Sequence, residues 1–231
     1  MFQGKNKALT FSYDDGFEQD IRFIELLNKY GMKGTFNLNN GRQGKSFPFE
    51  SVAGLVKRDC MYLKDSMPIY EGHEVAVHTV NHPNLITLSD EDIIREVEDN
   101  RILLSELCGY EVVGMAYPCS QYDERVIRVL QEKTGVKYSR TCWDSHGFDM
   151  PDKLLEWRPT VQHSIGDMDV LFELGKQFLE LKTDKPQIFC VWGHSYELDA
   201  HIGHWKKFEE FLEMMSKRTD ICYCTNKECL L

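Results

Sequence analysis

The chain has 231 residues, with 37 Asp plus Glu against 27 Lys plus Arg, and the resulting formal charge of −10 repels nucleic acid and anionic lipid. With 42% apolar and 28% charged residues, the composition suits one globular domain over residues 1–231 and excludes a disordered tail protein. The longest apolar runs, residues 75–77 and 102–104 among them, fall far short of a bilayer span, so no membrane partner is expected either.

Residues 1–7 show no apolar h-region and no small-residue cleavage site, so the chain is expected to be cytoplasmic. Residues 8–13 (ALTFSY) form a β-rich run ending at Asp14-Asp15-Gly16. Residues 18–30 then set Ile21, Ile24 and Leu27 at helical spacing before Gly31. Residues 34–38 predict a second strand. The Gly-, Lys- and Pro-rich stretch 39–48 leads into an expected short helix over 51–58, and 74–78 predict a third strand. Ser89, with Asp92 three residues on, caps a long amphipathic helix closed by Gly109. Residues 112–117 read as a strand, 123–134 as a helix with Gly135 as its C-cap, and 137–141 as a strand. Beyond the weakly periodic 143–168, expected to be a binding loop, come helix 168–181, strand 187–192, helix 205–216 and strand 221–224.

Short apolar strands alternating with helices predict an α/β fold with a parallel sheet, either a barrel or an open sheet. The eight cysteines, at 60, 108, 119, 142, 190, 222, 224 and 229, include no CxxC pair. In a reducing compartment most are expected to be free buried thiols. Cys222-Tyr223-Cys224 has strand alternation rather than zinc-knuckle spacing.

Unusual polar residues recur at the predicted strand ends: Asp14 and Asp15, His78 and His82, Pro118, Arg140, and His194. In parallel α/β folds those ends converge on one mouth. An Asp-Asp-Gly by itself also serves as a helix N-cap, and paired loop histidines are often just exposed. Together, two imidazoles and one carboxylate make an N2O donor set that fits Zn²⁺ with open positions.

At this point the motifs resemble a known family. Residues 10–16 (TFSYDDG) resemble the first motif of the polysaccharide deacetylases, the NodB-homology or carbohydrate esterase family 4 fold. His78-Thr79-Val80-Asn81-His82 is similar to the second motif, H-[ST]-x-x-H, and residues 192–198 (WGHSYEL) to the late histidine motif. The resemblance implies a distorted (β/α) barrel of about seven parallel strands. It also implies a hydrolase that removes an N-acetyl or O-acetyl group from an acetylated sugar or oligosaccharide. By the same resemblance Asp14 would be the general base, Asp15, His78 and His82 the ligands of one divalent metal (Zn²⁺, with Co²⁺, Mn²⁺ or Ni²⁺ as alternatives), and His194 the general acid. Hydrolysis of a cyclic ureide or imide, or an inactive carbohydrate-binding domain, are the competing readings.

The third motif departs from the usual R-x-P-Y-G. Here it reads Ala116-Tyr117-Pro118-Cys119-Ser120, so the base-orienting arginine is missing. Arg140 is the expected substitute, with Arg158 second, because a guanidinium grips both oxygens of a carboxylate and Ala116 cannot. Tyr117, Pro118, Cys119 and Trp192 are the expected substrate contacts, with the Cys119 N–H placed to help stabilise an oxyanion. Trp143, Trp157, Trp192 and Tyr196 offer rings for sugar stacking. His73, His146, His163, His201 and His204 have no partner assigned and are expected to be loop or structural histidines, with His163 singled out among them.

Overall fold

The run KALTFSYD forms β1 (Lys7–Asp14), buried along its whole length, as only a central strand covered on both faces can be. The computed structural model describes residues 2–231, apart from the side chains of residues 165 and 166. After β1 come α1 (Asp20–Lys29), β2 (Gly34–Leu38), β3 (Phe49–Ser51), β4 (Gly54–Val56), α2 (Leu63–Ser66), β5 (Glu74–Val77), α3 (Asp90–Cys108), β6 (Gly114–Ala116), α4 (Glu124–Lys133) and β7 (Tyr138–Arg140). The chain finishes with β8 (Val161–Gln162), α5 (Asp169–Glu180), β9 (Gln187–Gly193), α6 (His204–Met215), β10 (Ile221–Tyr223) and α7 (Asn226–Leu230).

The main sheet runs β7-β6-β5-β2-β1-β9-β8, with every pair parallel. β1 is shared lengthwise: Lys7 to Leu9 pair with β10, whereas Phe11 to Asp14 pair with β2. The sheet curls, and one extended stretch bridges its two ends. Trp157 donates to the Ser139 carbonyl at 3.1 Å and accepts from the Thr141 N–H at 2.8 Å, while Val161 and Gln162 pair with Val191 and Trp192. The α/β distorted barrel expected from the sequence is the architecture found.

Strand alternation gives β1 two characters. Leu9, Phe11 and Tyr13 pack outward, Phe11 edge-to-face on Phe23 of α1 and Phe208 of α6. Deleting such a buried ring costs about 3 to 5 kcal/mol. Thr10, Ser12 and Asp14 face inward, where Thr10 Oγ1 donates to Asn226 Oδ1 at 2.8 Å and Ser12 Oγ accepts from Arg140. The barrel interior is therefore apolar at its base, around Ala8, Tyr138 and Cys190, and polar toward the C-terminal ends of the strands.

Four expectations are corrected. Residues 51–58 form no helix: β3 and β4 pair as an antiparallel hairpin, its turn fixed by Ser51 Oγ, which accepts from the Ala53 N–H and donates to the Gly54 carbonyl. A hydroxyl that serves its own turn in this way competes with helix formation. Gly135 is not the C-cap of α4, which Thr134 ends in an extended conformation. Gly135 is instead crowded, since a Cβ there would lie 2.5 Å from the Arg101 guanidinium carbon, and its N–H donates to Glu98 at 2.7 Å. Cys224 and Cys229 form a disulfide, and Cys119 is exposed rather than buried. Residues 143–168 are not simply a binding loop, because they contain β8 and the Trp157 bridge that closes the barrel.

Candidate active site

The C-terminal ends of the strands bring Asp15, His78 and His82 together, with one donor atom of each within 4.8 Å of the others. Asp15 Oδ1 lies 3.8 Å from His78 Nε2 and 4.0 Å from His82 Nε2. His78 Nδ1 sits 2.8 Å from the Ala116 carbonyl. That contact requires a proton on Nδ1 and leaves the Nε2 lone pair facing the cluster, the tautomer a metal ligand needs. Burial, reinforced by His78 beside it, holds His82 down at about 4, so its imidazole is neutral. The donor set fits a divalent cation in residue type, tautomer and spacing. Backbone strain is concentrated here: Asp15 (φ 77°), Thr79 (φ 66°) and His82 (φ 61°) all take left-handed conformations, each costing about 1 to 3 kcal/mol that the surrounding structure must offset.

Asp14 is held beside this cluster. It is buried, and its carboxylate is bonded by Arg140 Nη2 at both oxygens, Oδ2 at 2.5 Å, and by Asn37 Nδ2 at 2.9 Å. Burial by itself would raise the acid, but the Arg140 guanidinium outweighs it and keeps Asp14 at about 2. Arg140 is itself fully buried. Its Nε donates to Ser12 Oγ and its Nη1 to the Thr141 carbonyl, each at 2.9 Å, and its guanidinium lies over the Trp192 ring at 4.8 Å. Arg158 is elsewhere, donating to the Trp143 and Asp144 carbonyls. Of the two arginines, Arg140 is the one beside Asp14.

His194 closes the other side, its Nε2 3.9 Å from Asp15 Oδ2. Burial opposes its charge, yet Glu197 lifts it to about 9. Glu197 Oε1 is 3.3 Å from His194 Nδ1, and Oε2 accepts from the His194 N–H and from Gln162 Nε2, each at 2.9 Å. His163, fully buried, bonds Tyr13 Oη through Nδ1 at 2.9 Å and stands 3.7 Å from Glu197 through Nε2.

Among the other expected contacts, Tyr117 and Pro118 are buried, Tyr117 donating to the Leu155 carbonyl at 2.9 Å and stacking on the Tyr122 ring. Trp192 is 9% exposed, backs Arg140 and donates from its indole to Asp144 at 2.6 Å. Cys119 alone of the four is exposed, and it is left-handed at φ 53°. Trp157 is buried and Trp143 exposed. The sequence reading missed Asn37, Glu197 and Arg42, whose Nη1 donates to Asp15 Oδ1 at 2.7 Å. Glu197 had a local signal, three residues after His194. Asn37 and Arg42 had none, since their partners lie more than twenty residues away.

The structure is a distorted parallel α/β barrel with a carboxylate–imidazole donor set and an arginine-held second carboxylate at its mouth. The sequence profile of the polysaccharide deacetylase family matches residues 3–139, and the chain belongs to that family. It is 31% identical over 103 residues to a chitin deacetylase of a Pestalotiopsis species, covering 44% of this chain and 30% of that protein. It spans less than half the length of the curated relatives it matches. In fold it is similar to the family 4 carbohydrate esterase of Streptomyces lividans solved with acetate (TM-score 0.59, 12% identity, 95% of this chain and 91% of that one). It is also similar to a CE4 family pseudoenzyme of Bacillus anthracis (TM-score 0.55, 18% identity, 98% and 66%).

Proposed function

We propose that the chain is a zinc-dependent deacetylase that hydrolyses the N-acetyl group of an acetylated sugar. The observation that carries this reading is the convergence at one mouth of a donor set (Asp15, His78, His82), an arginine-locked carboxylate (Asp14) and a carboxylate-backed imidazole (His194). An inactive binding module has no use for Asp14 buried and gripped at both oxygens.

A divalent ion held by Asp15, His78 and His82 supplies Lewis acidity to the acetyl carbonyl and acidity to a water. Asp14, ionised and kept by Arg140 from swinging into the donor set, takes the proton of the attacking water. His194, kept protonated by Glu197, gives its proton to the departing nitrogen, so the products are acetate and a free amine. Asn37 and Ser12 fix the Asp14–Arg140 pair from beneath.

The test is acetate release from N-acetylglucosamine and its oligomers by zinc-reconstituted protein, beside Asp14→Asn. The variant is expected to keep its metal and lose about 10² to 10⁴-fold in kcat. Near-normal turnover by Asp14→Asn, or no acetate from any acetylated sugar, would refute the reading.

A further inference from the structure

The stretch following β2 carries two arginines that the reaction above does not use. The Arg42 side chain makes one hydrogen bond to protein among the described residues, the 2.7 Å bond to Asp15 Oδ1, and its remaining N–H groups have no protein acceptor. An arginine with a purely structural task fills its fork, as Arg101 does on Glu98 and the Val112 carbonyl.

Arg42 also heads a continuous shelf. Its guanidinium lies 4.5 Å from the Phe47 ring, and the Phe47 carbonyl accepts from Arg58 Nε at 2.6 Å. The Arg58 guanidinium stands 5.0 Å from the Phe49 ring and 5.1 Å from the Tyr196 ring. Tyr196 in turn lies 5.3 Å from the His194 imidazole. Guanidinium and aromatic groups therefore alternate from Asp15 to His194, and all five side chains are half-buried.

The shelf is rigidly mounted at the Arg42 end. Asn39 Nδ2 donates to the His78 and Thr79 carbonyls, and the Gly41 N–H donates to the Val80 carbonyl at 2.8 Å. A Cβ on Gly41 would lie 2.7 Å from that carbonyl, so only glycine lets the strand-end loops approach this closely. Gln43 Oε1 accepts from the Leu63 N–H at 2.9 Å. Arg42 is thereby fixed to the same loop that carries His78 and His82. Among the described residues the Arg42 side chain bonds only Asp15 and the Arg58 side chain only the Phe47 carbonyl, so each guanidinium keeps N–H donors without a protein acceptor.

We infer that this shelf is a subsite for a carboxylate or phosphate substituent on the sugar whose acetyl group is removed. The aromatic rings take the sugar face and the guanidiniums take the oxyanion. The inference rests on the deacetylase reading and names its substrate class: an acidic acetylated sugar.

The experiment measures kcat/KM for acetate release by the zinc-loaded protein on N-acetylglucosamine, its 6-phosphate and N-acetylglucosaminuronic acid. At least one charged compound is expected to exceed the neutral one by about 10-fold. Arg42→Gln and Arg58→Gln are each expected to bring that ratio down toward one. Which charged compound leads distinguishes phosphate from carboxylate. A wild-type ratio at or below one, or a ratio that neither variant moves, overturns the inference. If none of the three releases acetate, the deacetylase reading fails separately, and calorimetric binding of the same compounds decides the shelf. Charge-selective binding lost in Arg42→Gln supports it, and binding without charge selectivity, or no binding, overturns it.

Discussion

Arg140→Lys isolates what a planar fork does for a buried base. The native side chain is fully buried and serves three acceptors at once: the Asp14 carboxylate, Ser12 Oγ and the Thr141 carbonyl. A lysine ammonium keeps the charge and reaches Asp14, but it cannot also meet acceptors on the other edges of the guanidinium. Ser12 retains the Asn37 amide as a partner, so its loss is about 1 kcal/mol, whereas the Thr141 carbonyl loses a charged donor in a buried place, about 1 to 2 kcal/mol. The sum, about 2 to 3 kcal/mol, corresponds at this chain length to a fall in Tm of about 4 to 12 °C. Asp14, held by an ammonium that the Ser12 and Thr141 contacts no longer orient, should lose about 10- to 100-fold in kcat through misplacement, with the uptake of added zinc unchanged. Scanning calorimetry, acetate release and metal analysis on the same preparation give the three readings. A lysine variant that melts and turns over like the parent would refute the reasoning.

Three further outcomes follow from the geometry. After dialysis against zinc and then metal-free buffer, His78→Ala should retain less of the added zinc than the parent, as metal analysis will show, because it removes a donor whose tautomer the Ala116 carbonyl fixes. Glu197→Gln should keep the metal but shift the alkaline limb of the kcat profile to lower pH, since the carboxylate that lifts His194 to about 9 is gone; an unmoved limb contradicts the acid role. His73 is buried, accepts from the Gly34 N–H at 3.0 Å and is pushed by burial to about 4. The unfolded chain protonates this group below about 6.5 and the fold does not, so stability falls as pH drops from there toward 4, at up to about 1.4 kcal/mol per pH unit. Urea titrations across that window should give a shallower dependence for His73→Gln.

The strands and the long helices were legible because apolar periodicity is local: β1, β2 and α3 fall within a residue or two of the sequence reading. The donor residues were legible for the same reason, since Asp14-Asp15 and His78-x-x-x-His82 are contiguous signals at strand ends. Arg140 was reached through the family resemblance, whose third motif implies a cation that Ala116 does not supply, with Arg158 left as the second choice. What escaped depends on distant partners. The β3–β4 hairpin rests on a serine turn whose residues also suit a helix, and Arg42 meets Asp15 only because Asn39 and Gly41 clamp two loops together. The Cys224–Cys229 disulfide spans a capped turn, a geometry that cysteine spacing alone does not specify.

The shared edge of β1 governs how this chain acquires its shape. Lys7 lies in register opposite Gln187 on one side and Ile221 on the other, so the central strand waits on segments from the far end of the sequence. Ladders of such long separation close slowly, because the loop entropy must be met before the pairing is gained. Until residues 187–193 and 221–223 arrive, one flank of an entirely buried strand stays open as an unpaired apolar edge. Refolding yield should therefore depend on protein concentration, and a chain cut before residue 221 should be prone to edge-to-edge association even with every reacting group present.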